Sequence, residues 1–172
     1  MRLMTKVAIT TISSALALSL TACSGSGPNA ATRLINRVTD GAEAVVNTDG
    51  SDIRISNLLL VATEDGSAVL VGHIVSRTIE SDKLLGISVG GSSASITGLT
   101  DLKTNAPIHF EGDNANAKAV FAGVNPIAGS TVEVNLGFAR AGLVTVRAII
   151  RDQRDIYAGI TSGAAPVLTE AK

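Results

Sequence analysis

An all-β fold, a single antiparallel β-sandwich, is predicted for this chain by three observations. From Ile53 onward apolar residues recur with a period of two, Gly, Asn, Asp and Ser clusters interrupt these β-branched runs about every 8 to 14 residues, and no helical period separates them. Alternating βαβ units would need intervening helices, so short strands with this punctuation point to sheet packed on sheet. Apolar residues make up 45% of the 172, carried by Val, Ile, Leu and Ala, which is enough to build a core.

The predicted strands lie near 53–62, 68–79, 83–90, 93–99, 108–112, 118–122, 131–140 and 143–151. The seventh has the cleanest alternation, with Val132, Val134, Leu136 and Phe138 on one face and Glu133 and Asn135 on the other. After Ala139-Arg140-Ala141-Gly142 the pattern resumes as Val144, Val146 and Ala148 opposite Thr145 and Arg147. This reads as a hairpin laid over a core.

Ahead of the strands the chain carries an export signature. A basic start with Arg2 and Lys6 leads into an apolar stretch from Val7 to Leu20, too short for the roughly 20 residues that span a bilayer of about 30 Å. It ends Leu20-Thr21-Ala22-Cys23, which resembles the lipobox of bacterial lipoprotein signals. That resemblance implies cleavage before Cys23, acylation of its thiol and new amine, and anchoring at the outer face of the cytoplasmic membrane. Cys23 is the only cysteine, so the fold is expected to have no disulfide. Ser24 to Ala31 has the composition of a flexible tether. In 30–47 the apolar Leu34, Ile35, Val38, Ala42 and Val45 have helical spacing, which Gly41, Thr32 and Thr39 weaken. The expected organisation is a signal peptide over 1–22, a lipidated cysteine and tether over 23–52, the β-sandwich over 53–161 and a tail over 162–172.

Composition excludes several partners. Fourteen basic side chains face 15 acidic ones, and two of the basic ones fall in the signal, so a nucleic-acid partner is not expected. Aromatic residues are 2% with no Trp, which removes base-stacking platforms and aromatic sugar-binding floors.

Three runs carry a family resemblance: Ile53-Arg54-Ile55-Ser56-Asn57-Leu58-Leu59-Leu60, Lys83-Leu84-Leu85-Gly86-Ile87-Ser88-Val89, and Pro126-Ile127-Ala128-Gly129-Ser130-Thr131-Val132 leading to Phe138-Ala139-Arg140-Ala141-Gly142. Over roughly Ile53 to Arg151 the chain resembles actinobacterial lipoproteins of the mycobacterial LpqE type, distant relatives of the periplasmic PCu(A)C copper chaperones. The resemblance implies a cupredoxin-like, immunoglobulin-like sandwich. It also implies a non-catalytic accessory subunit, docked on a membrane protein complex such as the actinobacterial cytochrome bcc-aa3 respiratory supercomplex. The chaperones hold Cu(I) with Met and His. Here Met1 and Met4 are the only methionines and both fall in the signal, so soft thioether ligation has no ligands, and no cofactor is expected.

Four other constellations in the sequence admit a chemical reading and a plainer one. Gly86-Ile87-Ser88-Val89-Gly90 matches a nucleophile elbow, with Asp101 and His109 following, but it runs into a glycine turn and another strand rather than a helix. His109, Glu111 and Asp113 are spaced by two, which on a strand points all three to one face where an imidazole and two carboxylates could hold Zn²⁺ or Cu²⁺. His73 lies in an apolar strand and is either a core histidine or a surface one. Arg147, Arg151, Asp152, Arg154 and Asp155 crowd the last strand's exit as a docking patch or a solvated edge. The expectation is a non-catalytic, partner-binding lipoprotein. Copper handling through His109, Glu111 or His73, and carriage of an apolar ligand between the sheets, are the alternatives.

Overall fold

The computed structural model describes residues 39–48 and 50–163; the expected signal, Cys23, the tether up to 38 and the tail from 164 lie outside the described residues. The strands are β1 (Ala42–Val46), β2 (Ile53–Ala62), β3 (Ala68–Ser76), β4 (Asp82–Val89), β5 (Ser92–Ser93), β6 (Ser95–Gly98), β7 (Asp101–Leu102), β8 (Ile108–Phe110), β9 (Ala117–Phe121), β10 (Thr131–Phe138) and β11 (Gly142–Asp152). The one helical turn among the described residues is a 3₁₀ turn at Asp155–Tyr157.

The all-β prediction holds, and β2 has the predicted bounds. The strands follow one hydrogen-bonded path, β5-β4-β10-β11-β2-β3-β8-β9-β6, with β1 added beside β2 and β7 beside β4. The expectation of a purely antiparallel sandwich is corrected. β11 runs parallel to β2 over Ile150–Asp152, β8 meets β9 in parallel at Phe110 and Ala117, and the sheet is mixed and nearly closed like a barrel. The cause is that β11 outruns its hairpin partner: β10 accounts for it only as far as Ile149, and the next strand edge it meets, β2, points the same way.

Alternation buries one face of each strand. Ile53, Ile55, Leu58 and Leu60 of β2 join Leu70 and Ile74 of β3, Ile108 and Phe110 of β8, and Leu136 and Phe138 of β10 in one core, where each contributes about 1.5–3 kcal/mol of apolar burial. All three phenylalanines are inside.

The strand predicted near 93–99 is two short strands, β5 and β6, and the alternation predicted to run to 112 stops at Phe110. β1 falls inside the span expected to be tether. It pairs antiparallel with β2, Val46 opposite Ile53 and Ala42 opposite Leu58, so the spacing read as weakly helical over 30–47 gives way to an edge strand at its C-terminal end. A free strand edge on β2 offers hydrogen bonds that outweigh a weak helical propensity.

That pairing depends on Asn57. It takes a left-handed conformation (φ 53°) at a bulge in β2, and its Oδ1 accepts the Gly41 N–H at 3.0 Å. A Cβ on Gly41 would lie 2.2 Å from the Asn57 carbonyl carbon, so the close approach admits only glycine. The bulge exchanges faces along β2: Leu58 and Leu60 point into the main core, Leu59 and Val61 to the outer side.

On that outer side Leu59, Val61 and Val69 are covered by Tyr157 and Ile160, which follow β11. Gln153 Nε2 donates to the Ile160 carbonyl at 2.6 Å, and Ser162 Oγ donates to Asp65 Oδ2 at 2.5 Å. The hydroxyls of Ser162 and Thr63 and the Ser67 N–H hold the Asp65 pKa down at about 2. Ser162, expected in a free tail, is therefore tied to the β2–β3 turn.

Asp82 ties β4 to the β10–β11 turn. Buried at the start of β4, its Oδ1 accepts the N–H groups of Lys83 (2.7 Å) and Arg140 (2.9 Å), and its Oδ2 accepts that of Ala141 (3.0 Å), which fixes the β10–β11 turn. Asp82→Ala removes the acceptor from these part-buried donors and should cost about 1–3 kcal/mol in urea unfolding. A loss within about 0.5 kcal/mol, the ordinary range for a surface change, would remove Asp82 from this role.

Candidate functional site

The β2–β3–β8 register brings two residues 36 apart in sequence into contact. Gly72 faces Phe110, Ile74 faces Ile108, and between them His73 faces His109 directly. Because Ile74, Ile108 and Phe110 point into the core, alternation sends both imidazoles to the outer face. Their ring centroids are 5.4 Å apart, with the planes inclined by 54°. His73 is exposed and His109 half-buried, so His73 is the surface residue of the two readings offered for it.

Asn116 sets the position of His109. Its Oδ1 accepts the His109 N–H at 2.8 Å, its Nδ2 donates to the Pro107 carbonyl at 2.9 Å, and its own N–H bonds the His109 carbonyl at 3.1 Å. Asn116 thus continues along His109 the edge on which β9 pairs β8 only at Phe110. His73 stands mid-strand between β2 and β8, opposite Ser56 and His109.

The expected grouping of His109, Glu111 and Asp113 on one strand face is corrected. β8 ends at Phe110, and Glu111 turns left-handed (φ 62°) ahead of Gly112 (φ 98°), which breaks the alternation. The Glu111 carboxylate pairs with Lys118 Nζ at 3.2 Å, both side chains almost wholly buried. Removing either partner would leave a buried charge uncompensated, which holds Glu111 to Lys118. Asp113 lies exposed in the following turn. Among the described residues no cluster of three or more His, Cys, Asp or Glu is placed to hold a metal ion.

The remaining candidates occupy structural positions. Ser88 sits mid-strand in β4 opposite Asn135 and Ser93, and the left-handed Gly90 and Gly91 make a strand turn after it rather than an elbow at it. In the basic and acidic run at the end of β11, Arg151 pairs with Asp40 at 2.8 Å, Arg154 pairs with Asp152, and Arg147 Nε donates to Thr131 Oγ1 at 3.0 Å. Neighbouring opposite charges thus satisfy much of that patch internally.

Sequence reasoning proposed both histidines separately and missed their pairing. It also missed a groove of about 590 Å³ on the β4–β10 face, lined by Leu85, Gly86, Ile87, Ala94, Gly137 and Leu143. The bulge opposite Phe138 leaves Leu85 outside the ladder, and Leu85 and Leu143 are 65% and 73% exposed.

Partial burial of the His73 ring, and then the neighbouring His109, lower its pKa below the ordinary 6.5. On the same face Arg54 pairs with Asp52 at 3.5 Å and Lys118 with Glu111, while Glu43 of β1 stands exposed. As pH falls below 6.5 the unfolded chain takes up a proton on this side chain before the folded chain does, so stability declines through that window. Urea midpoints at pH 7.5 and pH 5 should differ less in His73→Gln than in the parent. An equal difference in both would mean that this imidazole is not linked to folding.

A scan of protein-family models and a search of curated proteins find no match. Solved structures do match in fold. The copper-bound PCuAC domain from PmoF2 aligns with a TM-score of 0.54 and 20% identity, over 64% of this chain and 97% of that one. The apo PCuAC domain from PmoF1 aligns at 0.52 and 24%, over 64% and 98%, and the apo PmoF2 PCuAC domain at 0.52 and 19%, over 66% and 97%. The domain formed by this chain is similar in fold to PCuAC domains.

Proposed function

We propose that this domain is a metal-handling module of PCuAC-like fold whose cargo is copper in its oxidised form, and that His73 and His109 are its ligands. The observation that carries this reading is the imidazole pair itself. With metal–nitrogen bonds of about 2.0–2.1 Å, a ring centroid sits just over 3 Å from the ion, so centroids 5.4 Å apart let both rings reach one ion. The lowered His73 pKa favours the neutral ring that a metal requires. Two imidazoles without a thioether suit Cu(II) better than Cu(I), and Cu(II) heads the affinity order for nitrogen donors. The fold likeness supports the reading independently, as one of the similar domains is copper-bound. It also supports viewing the barrel-like sheet as a cupredoxin-like, immunoglobulin-like sandwich in which β11 passes between layers.

The lipobox-like Leu20-Thr21-Ala22-Cys23 supports placing the module outside the cytoplasmic membrane on a lipidated Cys23, where it acts without catalysis. Titration of the full chain in mild detergent with Cu(II) should show binding that weakens at least tenfold in His73→Ala and in His109→Ala. Unchanged binding in both variants would end this reading.

The groove favours a second reading, an accessory subunit docked on a membrane protein complex such as the actinobacterial respiratory supercomplex. Its lining carries no charge, two exposed leucines flank glycine backbone and Ser88, Ser93 and Asn135 add polar groups, which suits an uncharged protrusion of a partner with an apolar anchor. Capture through a C-terminal tag should then recover respiratory subunits stoichiometrically, and Leu85→Glu with Leu143→Glu should abolish recovery. Recovery of the chain alone would sink this reading.

A further inference from the structure

We propose that one metal ion bridges two copies of this chain, each supplying His73 and His109. The inference rests on the assignment of the histidine pair as a metal site and goes beyond it in naming what completes the coordination. Ions of this class bind nitrogen donors in sets of about four. This face supplies two: among the described residues no third His, Cys, Asp or Glu joins the pair. Glu111, the nearest carboxylate along the chain, is held by Lys118 at 3.2 Å, and Asp113 lies in an exposed turn. The site as built is half a site.

A second copy can supply the other half because the imidazoles stand on a strand face rather than at the bottom of a cleft. His73 is exposed, and its neighbours on the register, Ser56 on β2 and His109 on β8, lie along a row of backbone-paired positions. Charge does not oppose the approach. Arg54 is paired with Asp52 at 3.5 Å and Lys118 with Glu111, so these cations are neutralised, and the exposed Glu43 stands on β1 with β2 between it and His73. The apolar half of the outer face is already covered by Tyr157 and Ile160, which leaves the histidine half as the uncovered part. An isologous contact about a two-fold axis through the ion would present four imidazole nitrogens from two identical patches.

The test is titration of the full chain in mild detergent with Cu(II), following particle mass by sedimentation and the ion's ligands by the nitrogen hyperfine splitting of its electron paramagnetic resonance spectrum. The proposal expects saturation at half an equivalent, splitting from four nitrogens, a doubling of protein mass over the metal-free sample and reversal by a chelator. His73→Ala and His109→Ala should each abolish the doubling. One Cu(II) per chain with two nitrogens and unchanged mass would overturn the bridged pair while leaving metal binding intact. No Cu(II) bound through these histidines would overturn both.

Discussion

Ile150 is the joint on which this architecture turns. Its N–H still donates to the Ser130 carbonyl at 2.9 Å and its carbonyl still accepts the Gly129 N–H at 2.8 Å, so it closes the end of the β10–β11 ladder. In the same position it begins the parallel pairing with β2, opposite Leu60. The parallel segment that Ile150 opens, continued by Arg151 and Asp152, joins the strands β4, β5, β7 and β10 to the strands β2, β3, β6, β8 and β9. The Ile150 side chain points into the shared core, so the coupling is fixed by packing as well as by the backbone.

The division of β2's edge follows from that joint. β11 occupies only the end from Leu60 to Ala62, and β1 takes the stretch from Ile53 to Leu58. The two partners run in opposite directions along one strand, and Asn57 lies within β1's stretch, three residues ahead of where β11 begins at Leu60. Gly72 on β3 fits against the same bulge, with a Cβ there meeting the Asn57 carbonyl oxygen at 3.0 Å. Past the bulge the outer face of β2 changes character. Before it stand Arg54 and Ser56, after it Leu59 and Val61. The histidine row and the apolar patch under Tyr157 are thus neighbours because a single extra residue was accommodated in β2.

Period-two runs made β2, β10 and much of β11 legible, because each buries one face against a core and alternation records that burial directly. Alternation does not encode which strand lies alongside or in which direction, so the parallel meeting of β11 with β2 had no signature. β1 was obscured because its Ala42-Glu43-Ala44-Val45-Val46 shares apolar spacing with upstream residues, and its state is decided by β2's open edge. The break after Phe110 was hidden for a related reason: His109, Glu111 and Asp113 keep a strand's spacing, while the Lys118 ammonium and Gly112 draw the backbone out of the strand. The histidine pair was legible only as two separate residues, since the register that joins them is set by core side chains on either side.

The absence of methionine from the described domain, Met1 and Met4 being the only two in the sequence, changes the chemistry that this fold can offer. A thioether is a soft, uncharged donor that favours Cu(I), whereas an imidazole is a borderline base that serves Cu(II) and competes with protons. With imidazoles alone, affinity on the proposed reading depends on pH through His73, whose depressed pKa extends the range in which the neutral ring is present. The same donor set leaves coordination positions to be filled from outside the chain, by water or by another protein. A metal held by two rings on an open strand face is exchangeable by construction, because an incoming ligand can bind before an existing one leaves. That property separates a carrier from a structural metal site, whose closed four-ligand shell gives no such entry. The register of β3 and β8 and the Asn116 amide that positions His109 keep the two imidazoles side by side on the strand face, the arrangement that the proposed reading needs from a single chain.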